Sequence, residues 1–529
     1  MRSLLFSIVL CLISLNINAQ EEIRLSIEEG SLSALPGLQS HAFGLWDDHW
    51  ILIGGRSDGL HRRQPPFSFP MSHNNDSIYL VDPSSKIVIA ASTQQLPGSI
   101  SEQMQSTNME YYQRDSMLYL IGGYAYSPSR GDHITFPNTT AVNLSVLFNS
   151  MQVGLPISGA FRQLTDSNFA VTGGYLGYLD SVFYLACGQE FIGRYNPHGP
   201  SHGPGFYQRY TNQISRFSLV DDGINLQITW MNPWVDTLNL HRRDYNMAKQ
   251  IFPNGEVGYT IFSGVFQHSV DLPWLNTVEL KPTGFRVRND FNQLLNQYHS
   301  AHVPIYSSAS NTMYTVFFGG ISRFYFDRST GNLIDDTDVP FVKTISMIRR
   351  EGNDSMFESY FPFEMPDFMG AGASFIPVNL QFYDHDLLRF DRLPDGKTLI
   401  GYVYGGIQSN QENIFWVDDG TMSHATNRLI KVFLEKGEAT GSIENIEDQG
   451  FRILLSPNPS AGRIEYKTTL NEDRRVDIQI VSIDGNEIFN EFSDYPANGF
   501  LDLQTLSSGK YIVVVQTEEE RAIESLVIL

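Results

Sequence analysis

The chain has 529 residues, and its 36 Lys and Arg against 58 Asp and Glu give a formal charge of −22, a field that repels polyanions and excludes nucleic acid as a natural partner. Hydrophobic residues at 42% and aromatics at 12% supply full cores and exclude a disordered chain, while two cysteines in this length exclude a disulfide framework. A charged fraction of 18% beside 43 Gly, 25 Tyr and 35 Phe points to short strands and tight turns rather than helices.

At the N-terminus Arg2 precedes an apolar run from Leu4 to Leu15, and a small residue, Ala19, closes it, so residues 1–19 read as a secretory signal peptide cut after Ala19. The run is 12 residues, against the about 20 that a membrane-spanning helix needs. No other stretch comes close, and no transmembrane segment is expected. Cys11 leaves with the signal, so Cys187 stands alone and no intrachain disulfide is expected. Glu22 to Ile27 precedes the first repeat and is placed as a strand closing onto the last one.

From residue 41 to 435 one element recurs, a β-rich apolar run ending in a glycine pair or a near match. The runs are Trp50–Gly55, Leu118–Gly123, Val182–Gly188, Tyr259–Gly264, Thr315–Gly320 and Gly401–Gly406. Their last glycines stand 68, 65, 76, 56 and 86 residues apart, a regular order with variable loops. A weaker strand and a turn precede each run, and a third strand often opening on Asn or Asp follows, as at Asp76–Val81, Asn212–Phe217, Asn276–Leu280 and Asn427–Phe433. Four antiparallel strands repeated six times make a β-propeller, placed over residues 20–435. Val171–Gly174 offers a competing marker for the third unit, and counting both gives seven. The glycine pairs fit a crowded place where a positive φ and a close backbone approach are needed. This pattern resembles the kelch repeat, although the later tryptophan and tyrosine of that repeat are inconsistent here.

Propeller ligands gather where loops converge at a mouth of the central channel. Candidates near the start of each inner strand are His41, Gln103 and Gln105, Arg162, the run His241, Arg242, Arg243 and Asp244, and His299 with His302. Arginines and histidines in an acidic chain suit an anionic or sugar ligand, or they cap strand ends and pair with Asp and Glu. The loop Gly193–Gly205 carries His198 and His202 four residues apart, but its glycines and prolines forbid a helix that would present both to a metal. A kelch-type sugar oxidase would use copper with tyrosines and a cysteine, and a mutarotase would need a channel-facing acid and base, for which Arg242, Arg243, Asp244 or Glu110 are available. No nucleophile elbow, phosphate loop or zinc signature is present, and no cofactor or metal is expected. Asp76–Ile78, Asp115–Met117 and Asp180–Val182 resemble an O-glycosylation sequon of Bacteroidota, or simply open strands as turns.

Residues 436–450 are polar and acidic without periodicity and read as a linker. Residues 451–529 resume short alternating strands, a small immunoglobulin-like β-sandwich. Within it stand Pro457, Asn458 and Pro459, then Gly462, a turn at Asp484 and Gly485, and Gly509 with Tyr511 before an apolar C-terminus. In this order and position they resemble the C-terminal sorting domain of the type IX secretion system of Bacteroidota. The resemblance implies export to the periplasm by the signal, passage over the outer membrane by the secretion machinery, and a secreted or outer-surface address. The whole layout is similar to secreted kelch-like propeller proteins of that phylum with a type A sorting domain. The expected fold is therefore all-β, a six-bladed kelch-like propeller followed by a sandwich. The expected role is a binding module for a glycan or protein ligand, with a carbohydrate-active enzyme as the alternative.

Overall fold

The computed structural model describes residues 23–199, 201, 203–327, 333–437, 453–456, 460, 462–468, 475–482, 488–490, 495–517 and 521–528. The signal peptide, almost all of the linker, His202, Pro457, Asn458, Pro459, Asp484 and Gly485 lie outside them. The chain divides into two compact units, Met1–Glu438 and Ala439–Leu529.

In the first unit six blades follow one another along the chain, each built on four antiparallel strands; three sheets hold those four alone, two add a fifth strand and one adds two more. Their innermost strands are Ala42–Trp46, Thr107–Arg114, Tyr175–Leu179, Asn246–Ile251, Ala301–Ser307 and Phe368–Pro377. Each second strand is one of the six apolar runs: His49–Ile53, Met117–Ser127, Val182–Ala186, Val257–Phe262, Thr312–Ile321 and Gly396–Ser409. A strand at the middle of a blade is covered on both faces, which is why these runs are continuously apolar rather than alternating. Val171–Gly174 lies on the path into the third inner strand, so there are six blades and not seven.

The ring closes on itself. Arg24–Gly30 is the outer strand of the sixth blade and pairs antiparallel with Leu429–Lys436, from Arg24 opposite Glu435 to Gly30 opposite Leu429. Each of the six junctions between neighbouring blades holds its own apolar cluster: Ile53 with Leu118, Phe169 with Phe183, Tyr184 with Ile261, Phe262 with Phe317, Val316 with Val403, and Trp50 with Tyr404 are members. The architecture is a six-bladed kelch-like β-propeller, held by a ring of side-chain layers. Two α-helices interrupt it among the described residues, the short Gly98–Gln103 ahead of the second blade and Leu144–Val153 within it, the latter capped by the Asn143 side chain and ended by Gly154 in the left-handed region.

The second unit is a sandwich of two sheets, one formed by Ile453–Ser456, Arg463–Thr468 and Asn498–Asp502, the other by Ile488–Asn490, Arg475–Ser482, Gly509–Gln516 and Arg521–Ile528. Ile464, Tyr466, Ile480, Leu501, Val513 and Leu526 fill the space between them. Gly462 has φ +100°, and Tyr511 is buried with its hydroxyl donating to Ser507 O at 2.8 Å.

Candidate functional site

One residue at the entry to each inner strand adopts the left-handed region: Ser40, Asn108, Gly173, Asp244, His299 and Gly372, with φ between 49° and 68°. Their backbones are chained around the axis. Asn108 N–H donates to Ser40 O at 3.1 Å, Gly173 to Asn108 at 3.4 Å, Asp244 to Gly173 at 2.8 Å, Gly372 to His299 at 2.7 Å and Ser40 to Gly372 at 2.7 Å. At the sixth junction side chains meet instead, His299 Nδ1 standing 4.0 Å from Asp244 Oδ1. Two further side chains reach past the glycines. Asn108 Nδ2 donates to Asp244 Oδ1 at 3.1 Å across Gly173, and Ser40 Oγ lies 2.9 Å from His299 Nε2 across Gly372. Arg243 pairs with Asp244 and donates to the Tyr210 hydroxyl at 3.1 Å. The result is a polar floor at one end of the central channel.

Beyond this floor the channel encloses about 470 Å³ lined by the inner strands of all six blades. Two or three residues past each floor position an inner strand turns a ring or a methionine toward the axis: Phe43, Tyr111, Tyr175, Met247, His302 and Phe375, a girdle around the cavity. The far mouth is edged by Asp115 and by a two-residue hairpin tip, His385 and Asp386, whose strand Leu387–Arg389 adds in parallel to the fifth inner strand. Lys249 Nζ reaches Asp386 Oδ1 at 3.7 Å.

The most constrained polar group here is Glu110, 2% exposed. Its Oε1 accepts the Gly174 N–H at 2.7 Å, while Oε2 has no partner. Burial, with Asp244 nearby, holds this carboxyl well above the ordinary carboxylate range and favours its acid form. Burial also lowers His299 and His302, which makes them neutral hydrogen-bonding rings. Among the described residues, no lysine or arginine lines the cavity.

The candidates read from sequence separate in space. His299, His302 and His41 line the channel, and Asp244 belongs to its floor. His41 is 4% exposed, its ring edge-on to Tyr404 at 5.2 Å, and burial lowers it to about 4. Arg242 is fully enclosed; its guanidinium donates to the carbonyls of Asn239, Ser263 and Asn276 and lies over Trp274, so it serves the fourth blade's own loops. His241 stacks between Tyr210 and His268, with both centroid separations 3.8 Å. Gln103 is buried and holds the Thr140 hydroxyl at 2.6 Å, and Arg162 bridges to Asp221 at 2.6 Å, both away from the axis. His198 is exposed in a loop that Asn196 clamps by donating to Gly199 O, Gly203 O and Pro204 O. That loop docks on the first blade's long loop, Arg194 donating to Pro66 O at 2.7 Å and Ser68 to Tyr195 O at 2.9 Å. No group of three His, Cys, Asp or Glu side chains among the described residues is arranged to hold a metal ion.

Sequence reading missed the girdle. Its signal was an aromatic two or three residues past five of the six strand entries, with Met247 at the other, hidden because five residue types occupy the entry positions.

Residues 455–529 match the model of the secretion system C-terminal sorting domain, so this chain carries the address of a type IX secretion substrate. No curated protein matches the chain. Among solved structures, YjhT is similar at 12% identity with a TM-score of 0.42, covering 77% of this chain and all of that one. A fungal alcohol oxidase of the AA5 family in complex with copper is similar at 8% identity with a TM-score of 0.38, covering 96% of this chain and 99% of that one. No helix of the described residues is long and apolar enough to cross a membrane.

Proposed function

We propose that this protein is a secreted or cell-surface binding module of a Bacteroidota-type bacterium, sent to the periplasm by residues 1–19 and outward by its sorting domain, and that its propeller takes the end of a glycan into the central channel. The observation that carries this reading is the aromatic girdle over a hydrogen-bonding floor. Sugar rings present apolar C–H faces and a rim of hydroxyls, so they match flat aromatic walls and neutral donors and acceptors together. A cavity of about 470 Å³ suits one or two sugar units and is too small for a folded partner. Removing one wall tests the reading. On a glycan array the mature protein binds a defined set of glycans, and Tyr111→Ala and Tyr175→Ala each weaken it by about tenfold, the loss of one well-placed aromatic contact. Uniform silence on the array, or full binding by both variants, removes the channel as a glycan site.

A carbohydrate-active enzyme is the second reading, favoured by one observation, the buried Glu110 acid beside the neutral rings of the channel. Such an acid is able to pass a proton to a sugar oxygen. Acceleration of anomer exchange over a panel of reducing sugars that is abolished in Glu110→Gln would establish it, and no acceleration leaves binding.

A further inference from the structure

The charge of the channel wall says more than its shape. Four histidines, His41, His299, His302 and His385, are the only basic residue types among its lining side chains, while Glu110, Asp115 and Asp386 bring carboxyl groups to it. The cations at its two ends are engaged, Arg243 with Asp244 and Lys249 with Asp386 at 3.7 Å. A sugar carboxylate or sulfate would be stripped of water there with no cation to receive it, at a cost that excludes it. The opposite charge meets two favourable features. Rings from five blades, Phe43, Tyr111, Tyr175, His302 and Phe375, surround the axis, and aromatic faces attract cations. Glu110 supplies the second. It lines the same cavity and is 2% exposed; one carboxyl oxygen is fixed by the Gly174 N–H, and the other, Oε2, is buried without a partner. A buried carboxyl oxygen left without a hydrogen bond in a native site is expensive unless something completes it.

We infer that the ligand carries an ammonium group, which on the glycan reading proposed above makes it a sugar with a free amine, seated with its nitrogen on Glu110 Oε2 and its ring inside the aromatic girdle. The inference rests on that reading for the sugar and on Glu110 for the charge. Binding then trades the Glu110 proton for an ion pair: the ammonium arrives charged, the carboxyl gives its proton to solvent, and the pair is neutral.

Calorimetry on the mature protein with four monosaccharide probes, glucosamine, N-acetylglucosamine, glucose and glucuronate, together with choline as an ammonium without a sugar, tests both parts. The expected order places glucosamine at least about tenfold tighter than glucose or N-acetylglucosamine, as one charge-assisted bond provides, with glucuronate silent. In Glu110→Gln, which retains an acceptor for the Gly174 N–H, the preference of glucosamine over glucose falls to about threefold or less. Equal binding of glucose and glucosamine overturns the ammonium inference and leaves the glycan reading standing. Choline binding without any sugar overturns the glycan reading and retains the cation. Glucuronate binding, or an undiminished preference in Glu110→Gln, overturns the inference outright.

Discussion

Gly122 and Gly319 show how one atom sets the spacing of the ring. Gly122 sits at φ +63°, and a Cβ there would lie 1.9 Å from Val171 O, the carbonyl of the chain entering the next blade; at Gly319, with φ +59°, it would lie 2.0 Å from Met369 O. Neither contact is relieved by a rotamer change, because backbone meets backbone on both sides. Left-handed strain and the overlap together make Gly122→Ala cost about 3 kcal/mol. Gly98→Ala, at the first turn of a short helix with nothing within 4 Å, is expected to be neutral or slightly stabilising. Urea denaturation of the two variants checks the contrast, and equal midpoints would refute it. His41 gives a second test at this scale. Its folded pKa is depressed to about 4 by burial, whereas the unfolded chain takes up the proton near 6.5. Between these values the unfolded state binds more protons, so stability falls as the pH drops from about 6.5 to about 4 and is fully present above that window. The difference in pKa sets an upper bound of about 3 kcal/mol for this one side chain. His41→Phe removes its share, and the gap between melting temperatures at pH 5 and pH 7 should narrow against the parent.

Among the elements, the strand Arg24–Gly30 has the largest leverage for its length, since it comes from one end of the propeller and completes the blade built by the other. Leu25 is 7% exposed and packs in the same cluster as Val403, Val432 and Leu434. Leu25→Ala should cost about 2–4 kcal/mol, the range for a buried leucine left as a cavity, whereas Glu28→Ala, which loses an exposed pair with Lys397 at 2.6 Å, should leave the midpoint almost unmoved. Guanidinium denaturation distinguishes the two. This closure was legible in the sequence, as were all six middle strands, because a strand covered on both faces must be apolar throughout and the glycines close each apolar run, even where the strand itself continues past them, as in Met117–Ser127. The third strand of the second blade, Asn138–Asn143, was not. Its threonines are buried, Thr140 donating to Gln103 at 2.6 Å and the Thr139 hydroxyl enclosed without a partner, so a core strand there reads as a polar loop. The floor of the channel was hidden for a related reason. What recurs at Ser40, Asn108, Gly173, Asp244, His299 and Gly372 is a backbone angle, and five residue types satisfy it. His299 and Asp244 were found as charged or basic residues near strand starts, and Glu110 as an available acid, but nothing in the sequence separated them from Arg242, which is the same kind of residue facing inward.

For the molecule as a whole, the question is what the propeller needs in order to stand. Its six inter-blade clusters and its closing pair, Arg24–Gly30 with Leu429–Lys436, draw on nothing beyond residue 437 among the described residues, and the sandwich has a core of its own. A ring joined by its own ends is a complete folding unit. Protein ending after Gly437 should therefore unfold in one cooperative transition within about 2 °C of the melting temperature of the first unit in the full chain. A cut only eleven residues earlier, after Thr426, removes Leu429–Lys436, leaves Arg24–Gly30 without its partner and takes the ladder partners of Val403 and Tyr404. It should give protein that aggregates or melts without a cooperative transition, because two blade junctions lose their cover at once. Calorimetry on the two truncations decides the point: loss of cooperative melting after the Gly437 cut would show that the C-terminal unit supports the ring, and its retention after the Thr426 cut would show that the closing pair does not. In the producing cell the Gly437 truncation should also be retained rather than displayed, since residues 455–529 are the matched sorting domain. An equal amount of truncated and full-length protein outside the cell would mean that the address lies in the propeller.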